Sequence, residues 1–270
     1  NYFFKFSKYQ DALLALYDNE QFVIPESRRN EVRSFVSQGL QDFSISRVKE
    51  KMPWGIAVPG EEERLPAERQ VMYVWFDALV NYVSTIGWPE RMEELEKWWP
   101  VVQFAGKDNT RQQAAMWQAM LLSAGLPPSQ QIVIHGFMTS GGAKMSKSLG
   151  NVIDPIAIAD EYGTDALRYY LLREVSPFED SDFTLEKFTE SYNGNLANGL
   201  GNLASRIMKM AETNLPGPVT LSETGISKEY TDAMDAYRYN DAMQVIWKLM
   251  GEADARIAET EPFKLVKTDA

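Results

Sequence analysis

Two lysines three residues apart, Lys144 and Lys147, lie in the stretch of this sequence best suited to bind phosphate. They belong to the pentapeptide Lys-Met-Ser-Lys-Ser, which follows an apolar run at 132–134 and the glycines Gly141 and Gly142. Glycines let the backbone approach a ligand, hydroxyl and amide groups donate hydrogen bonds, and ammonium groups neutralise negative charge. The loop therefore has the chemistry of a polyphosphate site, although loops rich in glycine, serine and lysine are often solvated surface turns.

An acidic, cysteine-free composition limits the classes of protein to which this chain can belong. Its 270 residues are 44% hydrophobic and carry a formal net charge of −11. That charge disfavours a protein that binds DNA or RNA through a broad basic surface, although a local patch can still contact RNA. No apolar run is long enough to span a membrane, and without cysteine there are no disulfides and no cysteine-ligated zinc. We therefore expect a cytoplasmic protein with no membrane partner and no DNA partner.

Alternating strands and helices are predicted to position the lysine loop. Apolar runs at 71–75, 101–105 and 132–134 predict three strands. The segments between them, 76–86 and 108–124, are predicted to be helices. Apolar strands that alternate with helices indicate an α/β fold with a parallel sheet and flanking helices. Ligands of such sheets bind beyond the carboxyl ends of the strands.

Outside these strands the sequence predicts mainly helices. The first 47 residues are expected to be mostly helical, and 61–68 to form a solvated loop because it is acidic and contains proline. From 185 onward the apolar residues repeat at three or four, which indicates helices. Further elements are predicted as short strands at 44–47 and 55–60, an acidic turn at 179–183, and helices at 155–162, 164–174, 230–258 and from Pro262.

Three strings carry a resemblance to a known family. The Lys-Met-Ser-Lys-Ser pentapeptide, with Leu149-Gly150-Asn151 behind it, resembles the second signature of the class I aminoacyl-tRNA synthetases. The segment VWFDALVNY at 74–82 and the string NLASR at 202–206 are similar to the methionyl-tRNA synthetase family within that class. The resemblance covers nearly the whole chain.

The resemblance implies an aminoacyl-tRNA ligase that uses ATP and Mg²⁺ to activate methionine as its adenylate and then transfers it to methionine tRNA. It also implies a partial Rossmann-like sheet followed by an α-helical anticodon-binding bundle. The corresponding domains are the tail of a connective domain at 1–70, the second half of the catalytic domain at 71–134, the KMSKS loop and stem-contact region at 135–185, and the start of the anticodon-binding bundle at 186–270.

Roles in ATP binding follow from the same resemblance. Lys144 and Lys147 are predicted to be catalytic because they hold the pyrophosphate of ATP, with Lys147 the more important contact. Gly106 would let the ribose approach and Asp108 would accept from a hydroxyl, although Asp108 could equally cap the following helix. The remaining predicted ATP contacts are His135, Met145, Ser146 and Ser148. A lone histidine is more often structural, so His135 is expected only to neighbour the nucleotide.

The resemblance also implies a methionine pocket. Aromatic residues at helical spacing usually form a core, and only the resemblance favours a pocket here. A thioether is polarizable and packs well against aromatic rings. Gln113 occupies the position where the family usually has a histidine, and its amide could meet the sulfur or a neighbouring tyrosine. The predicted pocket residues are Trp75, Ala78, Leu79, Tyr82, Gln113 and Trp117.

Contacts to tRNA are predicted at Asn202, Arg206 and Phe263. Asn202 and Arg206 are four residues apart and therefore share one helix face. The alternative interpretation is an ordinary polar helix face that does not contact RNA. Both side chains can hydrogen-bond the base edges of a single-stranded loop. Phe263 occupies a position where the family often has a tryptophan that stacks on an anticodon base, and phenylalanine also stacks.

The single histidine limits what the chain is expected to do by itself. The family's other signature, His-Ile-Gly-His, needs two histidines, and its zinc knuckle needs cysteines that this sequence lacks. We therefore expect a C-terminal portion of a longer enzyme, without zinc, that is inactive alone in ATP–pyrophosphate exchange. Two alternatives stay open. The first is that the substrate is another large apolar amino acid, because the whole class shares the KMSKS string. The second is that the chain is a non-catalytic tRNA-binding fragment, because the His-Ile-Gly-His signature is missing.

Overall fold

The chain divides into two units, Asn1–His135 and Gly136–Ala270. The computed structural model describes residues 1–61, 63, 65, 68–220 and 225–268. Each unit has a hydrophobic core of its own. The predicted division into four parts is a finer one and stays a prediction.

Strands and helices alternate along the first unit. Its strands are β1 (Phe3–Phe4), β2 (Val23–Ile24), β3 (Phe43–Ser44), β4 (Ser46–Val48), β5 (Gln70–Met72), β6 (Val102–Gly106) and β7 (Gln131–His135). Its α-helices are α1 (Gln10–Tyr17), α2 (Glu26–Ser37), α3 (Val74–Ser84), α4 (Met92–Trp98) and α5 (Trp117–Ser123). Single turns of 3₁₀ helix lie at Phe6–Tyr9, Lys49–Lys51 and Lys107–Asn109, and a π-helix lies at Gln112–Met116.

A parallel sheet with the strand order β2-β7-β6 lies at the centre of the first unit. β7 pairs with β2 along one edge and with all of β6 along the other. Val23, Ile132 and Ile134 are completely buried, as apolar strands covered on both faces should be. The predicted α/β fold with a partial parallel sheet is confirmed.

The strand predicted at 71–75 is wrong in its extent and in its partner. β5 ends at Met72 and pairs antiparallel with β4, so it lies outside the parallel sheet. Val74 and Trp75 form the first turn of α3 instead. A short apolar run does not distinguish a buried strand from the start of a buried helix. The helix forms because it places Leu79 and Val83 in the core.

The first 47 residues are less helical than predicted. α1 and α2 are present, but β2 supplies the third parallel strand and β1 pairs antiparallel with β3. Strands of two residues carry no alternating pattern that a sequence reading could detect. Their partners, not their own composition, make them strands.

A solvated loop was predicted at 61–68, but its first residue is buried. Glu61 is 3% exposed, and its carboxylate accepts a hydrogen bond from the backbone N–H of Gln70. The residues of this loop that lie outside the described residues are Glu62, Arg64, Pro66 and Ala67.

Helices dominate the second unit. Its strands are β8 (Met138–Ser140), β9 (Ala143–Lys144) and β10 (Ser181–Asp182). Its α-helices are α6 (Pro155–Tyr162), α7 (Thr164–Arg173), α8 (Leu185–Ser191), α9 (Asn202–Asn214), α10 (Lys228–Asp235), α11 (Tyr239–Thr260) and α12 (Pro262–Thr268), with a π-helix at Tyr192–Gly201. Across the described ranges of the chain, no helix has the length and apolarity that crossing a bilayer requires.

The helix predicted at 230–258 is two helices, α10 and α11. They are separated at Tyr237, whose φ of 57° is left-handed and interrupts the helical backbone. The helices predicted at 155–162, at 164–174 and from Pro262 are confirmed.

Gly136 lies where a side chain does not fit. A Cβ at this position would be 2.2 Å from the carbonyl carbon and oxygen of Glu179 and 2.7 Å from the nitrogen of Asp180. Gly136→Ala should therefore lower the free energy of unfolding of the second unit by about 2 kcal/mol or more, because backbone atoms cannot move aside cheaply. Urea unfolding of the 270-residue chain, followed by fluorescence and circular dichroism, measures this change.

Gly217→Ala is the matched control. A Cβ at Gly217 would meet no atom of the described residues within 4 Å. This variant should change the free energy of unfolding by less than about 0.5 kcal/mol. Equal stabilities of the two variants would contradict the close approach of 179–180 to Gly136.

Candidate functional site

Gly106 and His135, two of the predicted ATP contacts, are neighbours at one end of the parallel sheet. They are paired across β6 and β7, as the last residues of both strands. Asp108 follows in the 3₁₀ turn directly behind β6. The parallel register therefore brings these three residues to the carboxyl ends of adjacent strands, which is where ligands of such sheets bind.

The alternative role considered for Asp108, as a helix cap, is not what the structure shows. Neither the 3₁₀ turn at Lys107–Asn109 nor the π-helix behind it begins with a side-chain cap. The Asp108 carboxylate instead accepts from the side-chain amide of Asn109 at 3.3 Å. This hydrogen bond leaves most of the acceptor capacity of the carboxylate unused.

A π-helix at Gln112–Met116 carries Gln113, the residue at which the sequence departs from the family pattern. Such helices are rare and occur often at functional sites. Side chains from elsewhere satisfy two of its carbonyl groups: Tyr17 Oη donates to Ala114 O at 2.7 Å, and Gln118 Nε2 donates to Gln113 O at 2.9 Å. Gln118 was not predicted from the sequence, because a glutamine in a helix carries no signal of complete burial.

Gln118 belongs to a buried polar network below the π-helix. Its amide also donates to Ser129 Oγ at 3.1 Å and accepts from Ser129 N at 3.0 Å. Ser129 Oγ in turn donates to Gln103 Oε1 at 2.5 Å. Hydrogen bonds of this kind offset the cost of burying polar groups, and such networks favour a single side-chain arrangement. Gln103 Nε2 has no partner among the described residues. The network links the π-helix to the strand β6.

Three predicted pocket residues are in direct contact with one another. Gln113 Nε2 donates to Tyr82 Oη at 3.0 Å, and the rings of Tyr82 and Trp117 lie 5.9 Å apart between centroids. Gln113 is 4% exposed and Trp117 2%, whereas Tyr82 is 37% exposed. The contact with a neighbouring tyrosine, one of the two roles that the sequence left open for Gln113, is observed. The contact with the methionine sulfur stays a prediction.

Two buried polar atoms in this cluster have no hydrogen-bond partner among the described residues. They are Gln113 Oε1, an acceptor, and Trp117 Nε1, a donor. Buried unpaired polar atoms are rare in native proteins, and they often mark a bound water molecule or a functional site. The Tyr82–Gln113–Trp117 cluster is therefore the part of the predicted pocket with the clearest unused binding capacity.

The other predicted pocket residues lie along α3. Trp75, Ala78, Leu79 and Tyr82 share one helix face because they are spaced by three or four residues. Ala78 is exposed, whereas Leu79 is buried in the core of the unit. A cavity of about 230 Å³ lies against other residues of α3, and Trp117 is the predicted pocket residue that lines it.

In the second unit, Lys144 and Lys147 are both exposed. Lys144 lies on β9 and pairs with Thr139 of β8, while Lys147 lies in the loop behind it. Gly141 and Gly142 form the two-residue turn between these strands, with φ of 61° and 75°. A turn with positive φ at both positions suits the twist of a hairpin and favours glycine.

The predicted hydroxyl contacts of the loop are close together. Ser146 Oγ and Ser148 Oγ lie 2.7 Å apart, and the backbone N–H of Ser148 donates to Ser146 Oγ at 3.3 Å. Met145 is turned the other way and packs against the core of the second unit. Met145 therefore anchors the loop. Both lysines are exposed, and the ammonium of Lys144 lies 5.3 Å from the centroid of the Phe137 ring.

Two residues that the sequence analysis did not single out hold this loop. Asn151 Oδ1 accepts from Ser146 N at 2.9 Å, and Asn151 Nδ2 donates to Lys144 O at 3.2 Å. Asp182 Oδ1 accepts from Gly142 N at 2.8 Å. Asn151 lies within the string that carried the resemblance, but no role was predicted for it. Asp182 lies 35 or more residues from the lysines, and the sequence predicted only an acidic turn there.

Hydrogen bonding keeps the Asp182 carboxylate ionised. The N–H of Gly142 and the ammonium of Lys187 lower the pKa of Asp182 below its ordinary value. A carboxyl with a lowered pKa stabilises the fold above that pKa, and the stabilisation is lost as the pH falls through it. The carboxyl that accepts from the Gly141–Gly142 turn is therefore ionised at neutral pH.

Two of the three predicted tRNA contacts share a groove in the helical region. Arg206 of α9 and Phe263 of α12 line a groove of about 590 Å³. Asn202 lies one turn earlier on α9 and does not line it. The guanidinium of Arg206 forms an ion pair with Asp254 of α11. The groove is otherwise lined by Ser205, Lys209, Met210, Thr213, Asn214 and Ile257.

A profile of the family described as tRNA synthetases class I (M) matches residues 1–208. The chain belongs to this family. The match covers the whole first unit and the second unit as far as residue 208, and it includes the strand ends, the Tyr82–Gln113–Trp117 cluster and the lysine loop. The family predicted from the sequence is confirmed.

Relatives of this synthetase chain carry the name methionine–tRNA ligase. One from Mesorhizobium japonicum is 41% identical over the whole of this chain and 53% of its own length. One from Thermosynechococcus vestitus is 49% identical over 81% of this chain and 41% of its own length. A crystal structure of Mycobacterium tuberculosis methionyl-tRNA synthetase bound by methionyl-adenylate is 39% identical, with a TM-score of 0.86, over 100% of this chain and 55% of that one.

This synthetase chain spans about half the length of the relatives that it matches. Membership of the family does not by itself assign a role to each residue. The ATP, methionine and tRNA contacts named above therefore remain predictions, including those that the structure brings together.

Tyr82→Phe should destabilise the first unit by about 1–3 kcal/mol, because it leaves the buried Gln113 amide without its hydroxyl acceptor. In Tyr82→Phe/Gln113→Leu most of the loss should be recovered, since both polar partners are then replaced. Urea unfolding of the two variants and of Gln113→Leu measures the coupling.

Tyr9→Phe is the control for loss of a tyrosine hydroxyl in the same unit. The Tyr9 ring stacks on Phe4 at 5.5 Å between centroids, a contact that the substitution retains. It should change the free energy of unfolding by less than about 0.5 kcal/mol. If Tyr82→Phe were as mild as Tyr9→Phe, the Gln113–Tyr82 hydrogen bond would contribute nothing to the fold.

Proposed function

We propose that the protein to which this chain belongs is a methionine–tRNA ligase. It activates methionine with ATP and transfers the methionyl group to methionine tRNA in the cytoplasm. The observation that carries the proposal is the match to the family over residues 1–208, which includes the exposed lysine loop that follows the parallel sheet in the sequence. The names of the relatives support methionine as the amino acid.

In the proposed first step, a carboxylate oxygen of methionine attacks the α-phosphorus of ATP. The bond from the α-phosphorus to the bridging oxygen breaks, and that oxygen leaves with the electron pair as part of pyrophosphate. ATP would enter as its magnesium complex, and the metal would offset part of the charge of the phosphates. The products are methionyl-adenylate and pyrophosphate.

The chain's own contribution to this step is positioning and charge stabilisation, which dominate phosphoryl chemistry. Lys144 and Lys147 are assigned to the departing pyrophosphate, where their exposed ammonium groups neutralise the charge that builds up. Gly106, Asp108 and His135 are assigned to the adenosine. These assignments need no covalent intermediate with the protein.

Selection of methionine is assigned to the face of α3 together with Gln113 and Trp117. The aromatic rings of Tyr82 and Trp117 suit a polarizable thioether. Gln113 replaces the usual histidine as a neutral group that can donate and accept. Its hydrogen bond to Tyr82 leaves its carbonyl oxygen available to another donor.

In the proposed second step, a terminal ribose hydroxyl of the tRNA attacks the carbonyl carbon of methionyl-adenylate and gives up its proton to solvent. The bond from that carbon to the phosphate oxygen breaks, and AMP leaves with the electron pair. Asn202, Arg206 and Phe263 are assigned to the anticodon loop. From Glu186 onward the sequence has nine Lys and Arg against thirteen Asp and Glu. A surface of this charge does not attract RNA generally, so specific contacts such as those in the α9–α12 groove must provide the affinity.

ATP–pyrophosphate exchange by the full-length protein tests the amino acid and the lysine loop. Leucine and isoleucine should support exchange about 100-fold less well than methionine. Lys147→Ala should lower the exchange rate with methionine by roughly 10²–10³-fold. Lys228→Ala, which removes an exposed lysine from α10, is the matched control and should retain the wild-type rate.

The alternatives predict different outcomes of this assay. If leucine or isoleucine supported exchange as well as methionine does, the assigned substrate would be another large apolar amino acid and not methionine. No exchange with any apolar amino acid, combined with retained tRNA binding, would favour a non-catalytic tRNA-binding protein. Full activity of Lys147→Ala would remove the proposed role of the loop.

Arg206→Ala should weaken binding of methionine tRNA by the full-length protein roughly 5- to 150-fold, because a base-edge contact contributes about 1–3 kcal/mol. Fluorescence anisotropy at fixed salt measures the Kd. The effect should shrink for the same tRNA with an altered anticodon. Arg256→Ala removes an exposed arginine of α11 outside the groove lining and serves as the control. Unchanged affinity of Arg206→Ala would rule out this contact.

A further inference from the structure

The position of Lys144 depends on the β8–β9 hairpin. Lys144 lies on β9 directly opposite Thr139 of β8. In the sequence it follows the Gly141–Gly142 turn by two residues. β9 is only two residues long, and both are exposed. A two-stranded hairpin of this size is not stable in water by itself. The orientation of the lysine loop therefore needs support from another part of the second unit.

The Asp182 carboxylate provides such support. Its Oδ1 accepts from Gly142 N at 2.8 Å and from Thr139 Oγ1 at 3.0 Å, so one oxygen contacts both the turn and the strand β8. Its Oδ2 accepts from Lys187 Nζ of α8 at 3.0 Å. Both carboxylate oxygens are thus engaged, and the ammonium of Lys187 offsets the negative charge next to a loop expected to bind phosphate.

Asp182 is itself held firmly in place. It lies in β10, which pairs parallel with β8 through Ser181↔Met138 and Asp182↔Thr139. The next residue, Phe183, is buried in the core of the unit and donates its N–H to Thr139 O at 2.9 Å. At the other end of this segment, Gly136 allows 179–180 to approach at a distance that no side chain would permit. The acceptor therefore does not move freely with the turn.

We propose that Asp182 is a positioning residue for the phosphate-binding lysines. By tying the Gly141–Gly142 turn and Thr139 to the core of the second unit, it fixes the direction in which Lys144, and the loop up to Lys147, are presented. Asp182 does not contact ATP in this proposal. Its hydrogen bonds to Gly142 and Thr139 form a tether that the structure contains. The consequence of this tether for ATP binding rests on the proposed function.

Amide hydrogen exchange of the 270-residue chain, read by NMR, tests the tether without any assay of activity. Gly142 N–H should be protected in the wild-type chain. In Asp182→Ala it should exchange at least tenfold faster, while amides of α6 and α7 keep their protection. Asp182→Asn retains one oxygen and should give a smaller effect, and Asp160→Asn, an exposed residue of α6, should give none. Unchanged exchange of Gly142 in Asp182→Ala would overturn the proposal.

Kinetics of the full-length protein test the consequence. Asp182→Ala should raise the KM for ATP about tenfold in pyrophosphate exchange, whereas the KM for methionine and the Kd for methionine tRNA should stay within twofold of wild type. Thr139→Val removes the second donor to the same oxygen and should act in the same direction, and its effect should not add fully to that of Asp182→Ala. A uniform loss that affects ATP and methionine equally would show a merely structural role and overturn the proposal.

Failure of the proposed function would look different. Wild-type full-length protein without any exchange activity would disprove the function. Faster Gly142 exchange in Asp182→Ala would still establish the tether in that case.

Discussion

The pairing of β7 with β2 and β6 is the constraint on which the first unit depends. Ile132 and Ile134 are completely buried, so β7 cannot move without exposing the core. Its register with β6 is defined over five residues and ends with Gly106 opposite His135. Since the strands are parallel, their carboxyl ends share one edge of the sheet. Chain segments that are far apart in the sequence thereby deliver their polar residues to one place.

Several buried polar side chains of the first unit are linked to one another by hydrogen bonds. Gln118 connects the π-helix to Ser129, and Ser129 connects it to Gln103 of β6. This chain of hydrogen bonds lies beneath Gln113 and helps to fix the backbone that carries it. The Gln113 amide is then free to bond Tyr82 on α3. A neutral glutamine fits this position because its amide can donate to a hydroxyl and still present an acceptor.

The lysine loop of the second unit combines local freedom with tethers at its two ends. Positive φ at Gly141 and Gly142 closes the hairpin in two residues, and the carboxylate of Asp182 accepts from the turn. Asn151 closes the other end by bonding to Ser146 and Lys144. Between them Met145 packs on the core while Lys144 and Lys147 remain exposed. A cationic loop held at both ends loses less conformational entropy when it meets an anion than a free loop does.

Much of this architecture follows from patterns that act over a few residues. The apolar runs of β6 and β7 and the helices α6, α7 and α12 have periodicities or end signals that depend only on local composition, and the sequence indicated them. The KMSKS string and its flanking segments identified the family, because their residue types follow one another at fixed spacing. Features that need a distant partner were missed. Val23 and Ile24 form a strand only because Ile132 and Val133 lie beside them, and Val74 and Trp75 join a helix that the core selects over a strand.

The sequence by itself determined the class of the sheet and the family to which the chain belongs, and it predicted a phosphate site at the lysine loop. Only the tertiary structure decided that Gln113 bonds Tyr82, that Arg206 and Phe263 share a groove, and that Asp182 holds the Gly141–Gly142 turn. The physical reason is range. Periodicity and turn chemistry are properties of neighbouring residues, whereas a hydrogen bond across 31 or 40 positions exists only after the chain has packed.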